Sequence, residues 1–178
     1  KMRLGVKDTA RALDNARAIA DAGACELVVH TRTRDDGYRP PAWWAQIAAI
    51  REAVAIPVIA NGEIWTAADA ERARAESGCE ALMLGRGAVA DPGLALTLAG
   101  RAPLPWVAVA PQLHAYWQLV SARVVPRHRA GRIKQWLHYL RRAYPEARAL
   151  YDELRTVNDV RIVGPRLQAL TLGSAPHS

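Results

Sequence analysis

Residues 57–87 read PVIANGEIWTAADAERARAESGCEALMLGRG and contain one strand-helix-strand unit. Two short apolar runs bracket the unit, and they end at Asn61-Gly62 and at Gly85-Arg86-Gly87. Between them, Thr66 stands where a helix N-cap is needed and Asp69 follows three residues later, as in a capping box. Strands joined by one helix lie parallel through a right-handed crossover. This stretch therefore predicts a parallel α/β sheet.

The same alternation extends back to the first residue. Apolar runs at 2–4 and 26–30 alternate with segments of helical spacing at 9–22 and 43–53, and a short helix is predicted to open at Asp91-Pro92. Such runs are typical of strands buried on both faces of a sheet. Because four strand-helix units make half of an eight-stranded barrel, we predict that residues 1–102 form half of a TIM (β/α)8 barrel.

A different organisation follows the segment 100–105, GRAPLP, which is typical of a linker. Helical spacing recurs at 106–122, 126–143, 145–156 and about 159–172. We therefore predict a helical bundle domain over residues 103–172, and a frayed tail over residues 173–178. The expected fold class is α/β followed by all-α.

The charge of the chain is concentrated in its second part. Residues 1–104 hold 13 Lys and Arg against 13 Asp and Glu, whereas residues 105–178 hold 11 against 4, which is the whole net charge of +7. This asymmetry suggests a neutral module joined to one that meets a polyanion; the alternative is a solvated basic surface. No apolar run or leader indicates a membrane partner, so we expect a soluble, cytoplasmic protein.

The two cysteines do not indicate a site. Cys25 and Cys79 each precede an apolar run, and we predict that both are reduced, buried packing residues on the helix-to-strand side of the sheet. No pair of residues has metal-ligand spacing, so no metal is expected.

Polar side chains stand where the predicted strands end. His30, Asn61-Gly62 and Gly85-Arg86-Gly87 all lie at the carboxyl ends of strands, the face that carries the active site in β/α barrels. Glycines let backbone N–H groups approach a phosphate, and an arginine binds its oxygens in a fork. Either glycine motif alone could be a tight turn, and His30 could be a satisfied core histidine. The two glycine motifs, on consecutive strands, together predict a phosphate site, and the position of His30 at a strand end favours a ligand contact.

Lys1 precedes the first predicted strand. A lysine directed into a barrel mouth would face an anion or an electron-rich ring, and it could stabilise charge on a reduced flavin. The alternative is an exposed terminal lysine.

Five segments carry a resemblance: residues 1–5 (KMRLG), 28–33 (VVHTRT), 57–64 (PVIANGEI), 83–88 (MLGRGA) and 131–141 (GRIKQWLHYLR). The first four, in this order, resemble the tRNA-dihydrouridine synthases. The fifth is similar to the C subgroup, which is associated with the uridine at position sixteen of the tRNA D-loop. The resemblance implies the C-terminal half of a flavin barrel, which binds FMN, takes electrons from NADPH and reduces the C5–C6 double bond of that uridine.

The resemblance also implies roles for particular residues. Lys1 and His30 would contact the isoalloxazine side of FMN. The FMN phosphate would be held by Asn61, Gly62, Glu63, Gly85 and Arg86. The tRNA would be contacted by Tyr38, Arg132, Lys134, Tyr139 and Arg155. Two residues depart from the family pattern: Thr31 replaces a small residue, which could crowd the flavin edge, and Val6 replaces a common aromatic residue.

The family's general acid is a cysteine in an Asn-x-x-Cys-Pro segment upstream of the Lys1 motif. These 178 residues contain no such segment and do not begin with Met. We therefore expect no catalytic residue in this chain. We expect it to be a fragment that is inactive alone and retains FMN weakly or not at all, from a protein that is monomeric at full length.

Two alternatives remain open. The chain could be a non-catalytic tRNA-binding module, or another FMN- or phosphate-binding barrel oxidoreductase such as a dihydroorotate dehydrogenase-like enzyme. The segment 131–141 and the basic helices speak against the second. Within that segment, Ile133, Leu137 and Leu140 form an apolar stripe. On spacing alone Trp136 is predicted to be a core residue, flanked by Arg132 and Tyr139 on one helix face.

Overall fold

The protein is represented by a computed structural model that describes residues 1–172 and divides into two compact units, Lys1–Gly87 and Ala88 onward. The first unit alternates strands and helices: β1 (Met2–Gly5), α1 (Ala12–Asp21), β2 (Leu27–Thr33), α2 (Ala45–Ala53), β3 (Val58–Asn61), α3 (Ala67–Ser77) and β4 (Leu82–Met83). The four strands form one parallel sheet in the order β1-β2-β3-β4. This confirms the predicted parallel sheet and fits a partial α/β barrel.

The two faces of this sheet differ. Leu4, Val29 and Ala60 are fully buried on the face that packs against the helices. Their neighbours belong to a row across the sheet in which Arg3 pairs with His30, His30 with Asn61, and Asn61 with Met83. Because side chains alternate along a strand, this row lies on the opposite face. The sheet thus aligns polar residues near the carboxyl ends of the strands.

Helix α3 begins as its sequence predicts. The Asp69 N–H donates to Thr66 Oγ1 at 3.1 Å, and the Asp69 carboxylate accepts from the Thr66 N–H at 3.0 Å, which completes the capping box. Gly78 ends the helix in a left-handed conformation, with φ of 66°. The crossover from β3 to β4 is therefore defined at both ends by local signals, and it places the Gly85-Arg86 turn beside Asn61-Gly62.

The second unit is helical throughout its described part. Helix α4 (Arg86–Ala90) starts in the Gly-Arg-Gly motif and spans the division between the units, and the helices that follow are α5 (Leu94–Leu98), α6 (Trp106–Arg123), α7 (Pro126–Leu140), α8 (Pro145–Leu154) and α9 (Val160–Leu172). Ile133, Leu137 and Leu140 are fully buried in its core, as their spacing predicted. The predicted tail at 173–178 lies outside the described residues.

The units divide at Gly87, earlier than the linker at 100–105. Residues 88–104 pack with the helices that follow them: the Tyr144 hydroxyl lies 3.0 Å from the Asp91 carboxylate and 3.2 Å from the Leu104 carbonyl oxygen. Burial raises the pKa of Tyr144, and so does its hydrogen bond to Asp91. Because Tyr144 is distant in sequence from Asp91 and Leu104, the composition of residues 100–105 does not show these contacts. The boundary predicted from composition therefore differs from the division between the two units. The short helix predicted at Asp91-Pro92 begins at Leu94.

The prediction for the cysteines is half right. Cys79 is buried, but Cys25 is exposed, so its assignment as a packing residue is wrong. Cys25 lies in the turn after α1, which reverses at Gly23 with φ of 91°, and only from Leu27 onward does the chain enter the core. Both cysteines precede a strand, on the helix-to-strand side, as predicted.

Candidate functional site

A cleft of about 570 Å³ lies at the carboxyl ends of the four strands. All seven residues predicted to bind a cofactor line it: Lys1, His30, Asn61, Gly62, Glu63, Gly85 and Arg86. Tyr38, predicted to contact tRNA, lines the same cleft. The sequence reasoning missed Arg3, Trp65 and Met83, which also line it. The alignment of Arg3 and Met83 with His30 was not visible until the strand register was known.

The turn after β3 shapes the floor of the cleft. Asn61 Nδ2 donates to the Met83 carbonyl oxygen at 2.7 Å, which ties the end of β3 to the end of β4. Gly62 has φ of 126°, and a Cβ at this position would collide with Thr31 Oγ1. Glycine is therefore required here both for its backbone conformation and for lack of space. Thr31 is fully buried under this turn and does not line the cleft. The threonine that replaces the small residue of the family pattern therefore does not face the open surface of the cleft.

Glu63 joins three donors around the cleft. Its Oε1 accepts from Arg32 Nη1 at 3.2 Å and from Arg86 Nη2 at 2.5 Å, and its Oε2 accepts from Trp65 Nε1 at 3.0 Å. Burial by itself would raise the pKa of Glu63, but the hydrogen bonds from Trp65 and Arg32 and the charges of Arg32 and Arg86 lower it overall. Glu63 is therefore a carboxylate at neutral pH. Its backbone is left-handed, with φ of 54°.

Arg86 lies over two aromatic rings. Its guanidinium carbon lies 4.6 Å from the ring centroid of Tyr38 and 5.0 Å from that of Trp65. A guanidinium stacks well on such faces, and it keeps its edge N–H groups for other acceptors. The Arg86 side chain stays 35% exposed, so it can meet a ligand in the cleft as well as Glu63.

His30 is an uncharged imidazole in this setting. Partial burial lowers its pKa to about 4, aided by the neighbouring cations Arg3, Arg32, Lys1 and Arg86. Its Nδ1 atom is buried and has no hydrogen-bond partner among the described residues. A neutral ring of this kind can exchange a hydrogen bond with a ligand without adding charge to the site.

Lys1 reaches the same cleft. Its Nζ lies 3.1 Å from the Met83 sulfur, which is a weak acceptor for an ammonium group. A stronger acceptor entering the cleft would therefore compete well for this cation.

The four residues predicted to bind tRNA in the helical unit do not lie at one place. Arg132 and Tyr139 line a pocket of about 490 Å³ with Tyr116 and Trp136. The Trp136 N–H donates to the Val89 carbonyl oxygen at 3.1 Å, and its ring meets Tyr116 edge-on, with centroids 5.4 Å apart. Trp136 thus packs partly on the core, as predicted, and partly in the pocket wall.

Lys134 and Arg155 lie outside this pocket. Lys134 Nζ donates to Asn158 Oδ1 at 2.7 Å, and burial lowers the pKa of this lysine. Arg155 follows the last residue of α8 and is exposed. The structure therefore brings two of the predicted residues to one pocket and leaves two on other parts of the unit.

The chain belongs to the dihydrouridine synthase family. The model of this family, described as Dihydrouridine synthase (Dus), matches residues 1–160. Among curated relatives, a tRNA-dihydrouridine(16) synthase from Cupriavidus necator is 51% identical over 164 residues, which are 89% of this chain and 51% of the relative. A protein of the same name from Pseudomonas putida is 45% identical over 96% of this chain and 56% of its own length. Another, from Escherichia coli O157:H7, is 40% identical over 97% of this chain and 55% of its own length. The chain spans about half the length of the curated relatives it matches.

Residues 1–172 contain neither a candidate membrane span nor a candidate metal cluster. This part of the chain has no helix with the length and apolar character needed to cross a membrane. Within the same residues, no group of three or more His, Cys, Asp or Glu side chains is placed to hold a metal ion.

Proposed function

We propose that this chain forms the phosphate-binding part of an FMN-dependent enzyme that reduces a uridine of tRNA to dihydrouridine, with NADPH as electron donor and position sixteen as the target. One observation carries the proposal: the seven residues expected to hold FMN, dispersed over residues 1–86, all line one cleft. The names of the curated relatives support the choice of substrate and position.

The residues of the cleft fit a flavin mononucleotide. Gly62 keeps the floor free of a side chain, Gly85 has open space around it, and Arg86 supplies a guanidinium for the phosphate. The orphaned Nδ1 of His30 offers a polar contact, and Lys1 offers a cation. When bound, FMN supplies the hydride that reduces the uracil ring.

His30 and Lys1 have distinct expected roles. A neutral His30 orients a bound ring by a hydrogen bond, whereas the Lys1 ammonium stabilises negative charge on that ring. Neither residue of this pair donates the proton that completes the reduction of uridine. The cysteines cannot do so from their positions, since Cys79 is buried and Cys25 precedes its strand. We therefore propose that this chain by itself does not turn over uridine.

The helical unit would supply the contact with RNA. Residues 105–178 carry an excess of seven positive charges, which attracts a polyanion without regard to sequence. The pocket around Arg132 and Tyr139 combines a guanidinium with aromatic faces, the groups that contact phosphates and unstacked bases. This arrangement supports the tRNA role.

A comparison of FMN with riboflavin tests the cofactor assignment. Titrations followed by flavin fluorescence should show FMN binding at least about tenfold tighter than riboflavin, because only FMN has the phosphate that Arg86 would bind. Arg86→Ala should remove that preference, and Arg17→Ala, an exposed arginine on α1, should keep it. Equal binding of the two flavins by the unaltered chain would reject the phosphate site.

A salt titration tests the RNA assignment. Binding of a tRNA transcript should weaken steeply between 50 and 200 mM salt, and Arg132→Ala should reduce the slope of log K against log salt by about one. Arg148→Ala, an exposed arginine on α8, is the matched control for a general loss of charge. A slope that does not change with salt would reject a phosphate contact.

A further inference from the structure

Glu63 is an unexpected residue in a cleft suited to an anion. The resemblance groups it with residues that hold the FMN phosphate, yet its pKa is lowered and its side chain is a carboxylate. Like charges repel, so a carboxylate directed at the phosphate would weaken binding. The side chain must therefore serve a different purpose from a phosphate contact.

The contacts of Glu63 show where its charge is used. One carboxylate oxygen accepts from both Arg32 and Arg86, and the other accepts from the Trp65 indole. Arg32 is fully buried, whereas Arg86 is part-exposed and lines the cleft. The carboxylate neutralises one of the two guanidinium groups, and the trio keeps one net positive charge.

Arg86 is restrained from several directions at once. Its guanidinium carbon lies 4.6 Å from the ring centroid of Tyr38 and 5.0 Å from that of Trp65, and its Nη2 donates to Glu63. A cation over a ring face is attracted by the whole face and not by one atom, so these two contacts by themselves leave the guanidinium free to rotate. The hydrogen bond to Glu63 fixes that rotation and so determines which N–H groups remain directed toward the cleft.

We propose that Glu63 is a positioning residue, which orients the Arg86 guanidinium toward the phosphate of FMN and does not itself contact the phosphate through its carboxylate. The inference rests on the proposed function, namely that the cleft holds FMN. It assigns to Tyr38 a second role, as one wall of the stack around Arg86. The left-handed backbone of Glu63 is consistent with a side chain placed by local constraint.

The sign of one measurement separates positioning from plain electrostatics. Glu63→Gln removes a negative charge from the cleft, so simple Coulomb repulsion predicts tighter FMN binding. Positioning predicts the opposite, a rise in the FMN Kd of about tenfold, because Arg86 loses its fixed orientation. In an Arg86→Ala background the same change should have no further weakening effect. Tighter or unchanged FMN binding by Glu63→Gln would overturn the proposal.

A second readout needs no flavin. In nitrogen-15 NMR of the 178-residue chain, the guanidinium Nη signals of Arg86 should be separate, because rotation is slow, and should merge in Glu63→Gln. If the signals merge but the unaltered chain binds no FMN, the orientation of Arg86 by Glu63 stands, and the proposal that the cleft of this chain holds FMN fails. Unchanged signals overturn the positioning whether or not FMN binds. Glu71→Gln, an exposed glutamate of α3, is the charge-matched control.

Loss of folding must be kept apart from loss of positioning. Glu63→Gln leaves Arg32 buried without its anion, and this could unfold the sheet unit. The double variant Arg32→Met with Glu63→Gln removes the buried cation together with its partner. We expect this variant to fold, to merge the Arg86 signals and to bind FMN about tenfold more weakly. Retention of FMN affinity and of separate signals in this variant would contradict the proposal.

Discussion

The sheet unit and the helical unit differ in where they place polar groups. The sheet unit buries five polar or charged side chains, and these are Thr31, Arg32, Thr33, Asn61 and Ser77. In the described part of the helical unit, the buried side chains are all aliphatic or aromatic. Three buried polar atoms without partners, on His30, Thr31 and Arg32, also belong to the sheet unit.

This difference shows how each unit can serve a ligand. An apolar core leaves the charges of the helical unit on its surface, where they are available to a polyanion. The sheet unit instead holds its cations inside a network next to a cleft, where fixed orientation matters more than number. Buried Asn61 lines the candidate cofactor site, and buried Arg32 is joined to it through Glu63.

The largest expected effect tests this contrast with one type of substitution in each unit. Glu63→Gln should lower the free energy of unfolding of the sheet unit by about 3 kcal/mol, because it leaves the buried Arg32 guanidinium without its carboxylate partner. Glu153→Gln breaks an exposed pair with Arg166 and should cost less than about 1 kcal/mol. Hydrogen exchange resolved by peptide measures the two units separately. Equal losses in the two variants would break the comparison.

A smaller effect is expected from His30 as the pH falls. The unfolded chain takes up a proton near pH 6.5 and the folded chain near pH 4, so the unfolded state binds more protons between these values. The stability contributed by neutral His30 is present above pH 6.5 and is lost as the pH falls toward 4. The loss should be on the order of 2 kcal/mol after allowance for solvent screening.

The variant His30→Asn isolates this contribution from the carboxylates that titrate nearby. Urea unfolding at several pH values should show a smaller loss of stability for the variant than for the unaltered chain between pH 6.5 and 4. Parallel pH profiles for the two proteins would show that His30 does not titrate as the structure indicates.

The smallest effect concerns a local signal in the sheet unit. Thr66→Ala removes the hydroxyl that caps α3, and it should lower the free energy of unfolding by about 1 kcal/mol. Thr156→Ala, at an exposed position after α8, serves as the control and should have little effect. A loss of 3 kcal/mol or more from Thr66→Ala would mean that the cap supports more than its own helix.

Much of the fold could be predicted because its signals are local. The capping box at Thr66, the prolines that open α7 and α8, and the apolar stripe at 133–140 define helices through contacts within a few residues. The parallel sheet followed from the alternation of strand and helix. The exposure of Cys25 could not be predicted from local signals, because the burial of a residue in a turn depends on how far that turn projects from the core.

The candidate site was predicted as a set of residues and not as an arrangement. Motifs at strand ends identified His30, Asn61-Gly62 and Gly85-Arg86, since parallel strands bring their carboxyl ends to one edge. Trp65 was missed because nothing in its local sequence marks a residue that binds a glutamate two positions away. Tyr38 was predicted for tRNA alone, and its stacking on Arg86 appears only when distant segments meet.

By itself, the sequence determined the alternation of elements, the basic character of the helical part and the order of the motifs, because these depend on neighbouring residues and on composition. Only the tertiary structure decided that Glu63 binds Arg32 and Arg86, that His30 is neutral and that Tyr38 lines the same cleft as the residues predicted to bind a cofactor. The physical reason is that pKa values and pairings depend on burial and on charges that are remote in sequence, and these are fixed only when the strands align.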